Sequence, residues 1–291
     1  MTMDYYERIQ KAVYFIEENL QEELNIIDIA AKSYFSPFHF QRLFQAISGF
    51  SVKEYIRNRR LSEAAVSLLE TDRPILDIAM DFQYGSQEAF SRAFSHYFGI
   101  TPAKYRKAKV KLDHQAKMNF LDYKNKMNGE LIMTKPKIMH LDEIHIIGYE
   151  YRTNLNNETY FEEIPGFYFD FGQNEYYLKI QNKAAPSMSY GISCNFQDEG
   201  EFSFIIGEAV HAPAEEVPEP LVYFKIPEGK YAIFDVKGPS ASVQNTRRFI
   251  YGTWLPNSNY ERKEGPDFEV TDVCQSSYPD DMRMKVYIPI R

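Results

Sequence analysis

The 291-residue chain has only two cysteines, Cys194 and Cys274, far apart in sequence. They build neither a disulfide framework nor a cysteine-rich zinc site, and two free thiols suit a reducing compartment. The six histidines are scattered without His-x-x-x-His spacing, so neither a structural metal nor a metal cofactor is expected. Long apolar runs are missing too. The longest span about five residues, such as Ala12 to Ile16, against the roughly twenty of a membrane helix. No basic start with an apolar stretch and small-residue cleavage site opens the chain, which makes the cytoplasm the expected location. There is no nucleophile elbow and no Ser-His-Asp constellation. His140, His145 and His211 fall near predicted strand ends with no evident partner, so no catalytic residue is assigned. What is present is 44% hydrophobic residues, enough for two cores in a chain of two-domain length.

The net charge of −8 is unevenly spread. Residues 1–109 hold 14 Lys and Arg against 14 Asp and Glu, and residues 110–291 hold 19 against 27. Inside the neutral first part, Lys32, Arg42, Lys53, Arg57, Arg59 and Arg60 meet only Glu54 over residues 32–62. Over residues 85–109, Arg92, Lys104, Arg106, Lys107 and Lys109 meet only Glu88. Two local basic faces suit a polyanion better than the total charge does.

The first part also repeats. Asp28-Ile29-Ala30 returns as Asp77-Ile78-Ala79 at an offset of 49, and Ser36, Phe40, Arg42 and Phe44 return as Ser86, Phe90, Arg92 and Phe94 at an offset of 50. The extra residue falls where a turn would tolerate it. Each copy reads as helix, turn, helix. Ser36-Pro37 is a helix start, since Ser caps free amides and Pro fits the first turn. The spacing sends Phe40, Leu43 and Phe44 inward and leaves Phe38, His39, Gln41 and Arg42 outward. In the second copy Ala89, Phe90, Ala93 and Phe94 face in, while Gln87, Glu88, Ser91 and Arg92 face out. Amides suit adenine and a guanidinium suits guanine or phosphate, so both outer faces fit a major groove of double-stranded DNA. A long helix opening at Ser51-Val-Lys-Glu54 joins the copies and places Arg57, Arg59 and Arg60 for phosphate contact.

These units, with Pro74-Ile75-Leu76-Asp77-Ile78-Ala79 and Tyr97-Phe98-Gly99-Ile100-Thr101-Pro102, resemble the DNA-binding domain of AraC-type transcription regulators over about residues 5–108. The resemblance implies that the second helix of each unit enters the major groove. It would place Phe38, His39, Gln41 and Arg42 on the first reading helix, and Gln87, Glu88, Ser91 and Arg92 on the second. RNA polymerase is an implied partner if the protein activates. Residues 1–109 are expected to fold and bind DNA alone, and the Lys- and Asn-rich stretch 110–134 reads as a linker.

Beyond it, strands are predicted at Ile144 to Tyr151, Tyr190 to Phe196, Phe202 to Gly207, Leu221 to Ile226, Tyr231 to Val236, Phe268 to Val273 and Met284 to Ile288. Helical stretches are expected at Glu158 to Ile164, Phe167 to Ile180 and Val243 to Trp254. The expected fold is thus multidomain: an all-α double helix-turn-helix, then an α+β domain over 135–291 made of two strand-helix-strand-strand repeats. Ile226-Pro227-Glu228-Gly229-Lys230-Tyr231, Phe249-Ile250-Tyr251-Gly252-Thr253-Trp254-Leu255-Pro256 and Pro266-Asp267-Phe268-Glu269-Val270 are similar to the GyrI-like effector-binding domain. That resemblance implies a cleft for a small, aromatic or cationic effector, with Glu269 as its acid. Thr271 stands where family members often have Tyr. Residues 110–291 hold 14 Tyr, 12 Phe and the single Trp, and aromatic faces attract cations. Tyr149, Tyr168, Tyr190, Tyr223, Tyr251 and Trp254 are the further candidates for the cleft. The leading expectation is a ligand-responsive transcription regulator that is not an enzyme. The alternatives are a C-terminal protein-interaction module and, further off, a C-terminal hydrolase.

Overall fold

The computed structural model describes residues 4–122, 135–155, 160–197, 200–212 and 216–291. They form a helical unit and a strand-rich unit, each described by itself.

The helical unit contains α1 (Tyr5–Glu18), α2 (Ile26–Lys32), α3 (Pro37–Ser48), α4 (Val52–Glu70), α5 (Ile75–Asp81), α6 (Gln87–Phe98) and α7 (Pro102–Ala108). The repeat is literal. α2 and α5 both have seven residues, α3 and α6 both have twelve, and the offset steps from 49 to 50 in the intervening turn. The side chains of Ser36, Ser51, Ser86 and Thr101 each accept a hydrogen bond from the amide three residues on, which starts α3, α4, α6 and α7. Gly49 and Gly99 end the paired helices in left-handed conformation, where a side chain would be strained. The turns match as well, with Tyr34 and Gln83 both at positive φ. A core of Leu61, Ala64, Leu68, Ile78, Phe90, Phe94 and Tyr105 ties the second half of α4 to α5, α6 and α7.

The stretch read as a linker from residue 110 follows this unit closely as far as it is described. The Gln115 amide donates to Ser62 Oγ (2.9 Å), the Met118 amide to Tyr55 Oη (3.1 Å) and the Phe120 amide to Gln10 Oε1 (2.7 Å). Phe120 is fully buried, with its ring 5.2 Å from that of Phe44. Residues 123–134 of the expected linker lie outside the described residues.

The strand-rich unit is one antiparallel sheet of eight strands: β1 (Lys137–Leu141), β2 (Ile144–Asn154), β3 (Met188–Cys194), β4 (Glu201–Val210), β5 (Val222–Ile226), β6 (Gly229–Gly238), β7 (Asp267–Asp272) and β8 (Met282–Pro289). Their order is β1-β6-β8-β7-β3-β4-β2-β5. The helix α8 (Tyr160–Gln173) follows β2, and α9 (Ala241–Phe249) follows β6 and runs on as a wider turn through Ile250–Trp254. The two expected helices before residue 180 are therefore one helix, continuing through Pro165, with a short 3₁₀ turn at Tyr176–Lys179. Residues 158 and 159, where the first was expected to begin, lie outside the described residues.

The duplication is present as β2-α8-β3-β4 and β6-α9-β7-β8, and each copy carries a leading strand. That of the first copy, β1, was not separated in the sequence. It pairs with β6 of the second copy, while β5 pairs with β2 of the first. The registers correspond: Leu141 faces Gly229 where Ile226 faces Ile144. The exchange gives each half of the sheet an edge strand from the other half. The halves meet at β3 and β7, where Gly191 faces Glu269.

Candidate DNA-reading helices and effector site

The two reading helices differ in exposure. On α6, Gln87, Glu88 and Arg92 are exposed and Ser91 is half-buried, while Phe90 and Phe94 hold the helix to the core. The Glu88 carboxyl is held below its usual range, first by its own backbone amide and then by the Ser86 hydroxyl. It stays an acceptor, which suits the amino group of cytosine. On α3, in contrast, the expected outward residues Phe38, His39, Gln41 and Arg42 are only 5–7% exposed. The His39 ring packs edge-on against Tyr5 and Phe35, and the Arg42 guanidinium lies 5.3 Å from the Phe38 ring. Helical periodicity assigns an inner face correctly but cannot show that the opposite face is covered as well.

The three arginines of α4 also separate. Arg57 is exposed. Arg59 is buried and spends its donors inside: Nη2 on Glu17 (2.8 Å) and Glu63 (2.6 Å), Nη1 on the Gln115 carbonyl (2.8 Å). Those carboxylates hold its pKa up against the effect of burial. Arg60 donates to the carbonyls of Leu20 and Glu22, both at 2.7 Å. Arg59 and Arg60 therefore act as clips between segments of the helical unit, which leaves Arg57 the more exposed of the three for the expected phosphate contact.

In the strand-rich unit, strand register sorts the candidates by face, because successive side chains alternate. Gly191 on β3 faces Glu269 on β7 and Ile206 on β4, which in turn faces Tyr149 on β2. These residues share the face that carries α8 and α9. Tyr190 is on the other face, stacked with Phe268 and buried among Ile192, Ile226 and Tyr231. It is a core residue there, separated by the sheet from the other candidates.

On the helix-bearing face three elements converge on Glu269. Tyr168 from α8 donates its hydroxyl to Glu269 Oε1 at 3.0 Å, and Arg247 from α9 donates Nη2 to Oε2 at 2.8 Å. Glu269 is 4% exposed and Arg247 7%. Gly191 makes the convergence fit: a Cβ there would lie 2.1 Å from Tyr168 Oη, 2.7 Å from Phe204 and 3.1 Å from Glu269 Cγ. Burial raises the Tyr168 hydroxyl far above its usual pKa, and the neighbouring Glu269 charge raises it further, so it remains a donor. Gly191→Ala should destabilise this unit by about 1–3 kcal/mol through overpacking. Denaturant titration checks this, and an unchanged midpoint would show that Tyr168 yields freely.

Arg247 was not singled out in sequence, and Thr271 was marked only as standing where family members often have Tyr. Thr271 is buried on the same face two residues on. Only alternation along Asp267-Phe268-Glu269-Val270-Thr271 hinted at that shared face, and no local pattern pointed to Arg247. The remaining candidates are scattered. Tyr149 stacks on Tyr176 at 4.5 Å. Trp254 stacks on Tyr260 and meets Phe234 edge-on. Tyr223, on edge strand β5, is partly exposed, and its hydroxyl is 2.6 Å from His145 Nδ1. Tyr251 belongs to a separate buried cluster with Asp267 and Arg262. Among the described residues no group of three or more His, Cys, Asp or Glu side chains could hold a metal ion, and no helix is long and apolar enough to cross a membrane.

A repeated helix-turn-helix with an exposed reading face, followed by a twofold-repeated antiparallel domain with a buried polar centre, defines a DNA-binding regulator with a sensing domain. The comparisons agree. Residues 137–290 match the family described as integron-associated effector binding protein, and residues 19–108 match a helix-turn-helix domain family. The chain belongs to the first of these families and carries an AraC-type DNA-binding domain ahead of it, so it is an AraC-type transcription regulator with a C-terminal effector-binding domain of GyrI-like fold. It is 29% identical to the right origin-binding protein of Escherichia coli, over 99% of this chain and all of that one. It is 45% identical to the regulatory protein SoxS of Salmonella typhimurium over 36% of this chain and 97% of that one. An integron cassette protein from the mobile metagenome of Vibrio cholerae is similar at 19% identity and a TM-score of 0.38, over 54% of this chain and 96% of that structure. A relative in Salmonella typhimurium, 28% identical over 99% of this chain and all of that one, is described as a transcriptional regulator.

Proposed function

We propose that the chain reads double-stranded DNA chiefly through α6, with Arg57 and the exposed lysines of α7 on the backbone, and that a small aromatic effector binds the helix-bearing face of the strand-rich domain around Glu269. The regulator works in the cytoplasm and, where it activates, touches RNA polymerase. The observation that carries the DNA half is the exposed face of α6, on which Gln87, Glu88 and Arg92 stand clear of the core. Lys104 and Lys107 on the following helix are exposed as well. Aromatic residues on both helices and on β2 support the second half, although the expected lone acid of the pocket is already paired with Arg247.

Arg92→Ala should lose about 1–3 kcal/mol of binding to a specific site and much less on random DNA, as expected for a guanidinium that reads a base. Arg57→Ala should weaken both by a similar amount and flatten the salt dependence, as a phosphate contact does. Arg42→Ala, at the matching position of the first repeat, should show the same pattern as Arg92→Ala if both helices read bases. Gel-shift titration of the three variants on both DNAs decides. Undiminished binding by Arg92→Ala would remove α6 from the reading role.

A further inference from the structure

The buried ion pair on the helix-bearing face leaves part of its cation unspent. Arg247 gives Glu269 one hydrogen bond, from Nη2. No acceptor among the described residues meets its Nε or Nη1. A guanidinium carries five donors in a rigid plane, and buried donors ordinarily find partners. Here the side chain is 8% exposed, so the unspent nitrogens keep some access from outside. Each Glu269 oxygen meanwhile accepts one hydrogen bond, and Arg247 already matches the carboxylate's charge. The only other carboxylate of β7 on this face with a buried partner is Asp267, which Arg262 neutralises at 2.8 Å.

The local charge therefore sums to nothing, while two nitrogens of the guanidinium remain without an acceptor among the described residues. From this the geometry points to an effector that brings an oxygen acceptor to Arg247: an aromatic carboxylate first, an aromatic amide or ketone second, and a bare aromatic cation last. The assignment rests on the effector reading given above and narrows its ligand class. A cation entering here would meet the like charge of Arg247, or displace it from Glu269 and leave the guanidinium without that counter-charge. A carboxylate would take the free edge of the guanidinium, where two parallel hydrogen bonds fit, and leave Glu269 and Tyr168 as they are. The pair thus acts as a selector, with Glu269 orienting Arg247 and Arg247 meeting the ligand.

Calorimetric titration of the full chain with naphthoate, naphthamide and naphthylmethylammonium tests this, because the three probes share one apolar body. On the wild type, naphthoate should bind tightest and the ammonium weakest. Arg247→Met should weaken naphthoate at least tenfold, weaken naphthamide less, and strengthen the ammonium by exposing Glu269. If Arg247→Met alone does not fold, Arg247→Met with Glu269→Met removes both charges. That pair of changes should equalise the three probes while keeping apolar binding. An ammonium that binds the wild type best, or a naphthoate affinity untouched by the Arg247 change, would overturn the selector and leave the effector reading standing. Failure of all three probes on the wild type would overturn both.

Discussion

Arg262→Met is expected to destabilise the strand-rich unit by about 3–5 kcal/mol, because it removes the cation paired with a buried carboxylate. Asp267 is completely buried and Arg262 very nearly so, and their contact is 2.8 Å. Arg262 also donates Nε to Tyr251 Oη at 3.1 Å and Nη2 to the Gly265 carbonyl at 2.8 Å, while the Tyr251 hydroxyl donates to Asp267. The cluster joins the end of α9 to the start of β7, two residues from Glu269. Trp254 is the single tryptophan and lies in this unit, so its fluorescence during guanidinium unfolding reports this unit alone. For a unit of this size the loss corresponds to a melting temperature lower by roughly 10 °C. Arg262→Met with Asp267→Leu should recover much of the loss, since an apolar pair of similar volume no longer strands a charge. An unchanged midpoint in the single variant would show that Asp267 finds another partner or reaches water.

Phe120→Ala should cost the helical unit about 3–5 kcal/mol, the usual range for a fully buried ring. The ring packs on Phe44, whose own ring lies 5.6 Å from that of Tyr55. Deleting it opens a cavity between α3 and α4 and loosens the chain that Gln10, Tyr55, Ser62 and Arg59 hold in place. A fragment of residues 1–122 should accordingly melt well above one of residues 1–109, by far-ultraviolet circular dichroism. Equal melting would mean that residues 110–122 only rest on the unit. The fragment ending at 109 is thus expected to be the poorer DNA-binding module, although it contains every reading helix.

Much of this was legible locally. The duplicated Asp-Ile-Ala and Ser-Phe-Arg-Phe patterns, the Ser and Thr caps and the closing glycines determined α2 to α7, including the turn that takes the extra residue. These signals act over three or four residues, and the helices that they start and stop need no distant partner to be recognised. Seven of the eight strands were likewise legible from alternation and turn residues. The acid of β7 was located by a motif.

Tertiary structure decided the rest, because the deciding partners are distant in sequence. Arg59 and Arg60 looked like phosphate contacts until Glu17, Leu20, Glu22 and Gln115 took their donors. The face of α3 that periodicity left outside is buried. Tyr190 fell on the far side of the sheet because register places a whole strand's side chains at once, and a shift of one residue exchanges the faces. Glu269 met Arg247 across 22 positions and Tyr168 across 101. The sequence by itself determined α2 to α7, seven of the eight described strands, and that the chain joins a DNA reader to a sensing domain. Only the fold decided which charges remain free to act, because a buried charge is set by whatever the folded chain brings within hydrogen-bond distance.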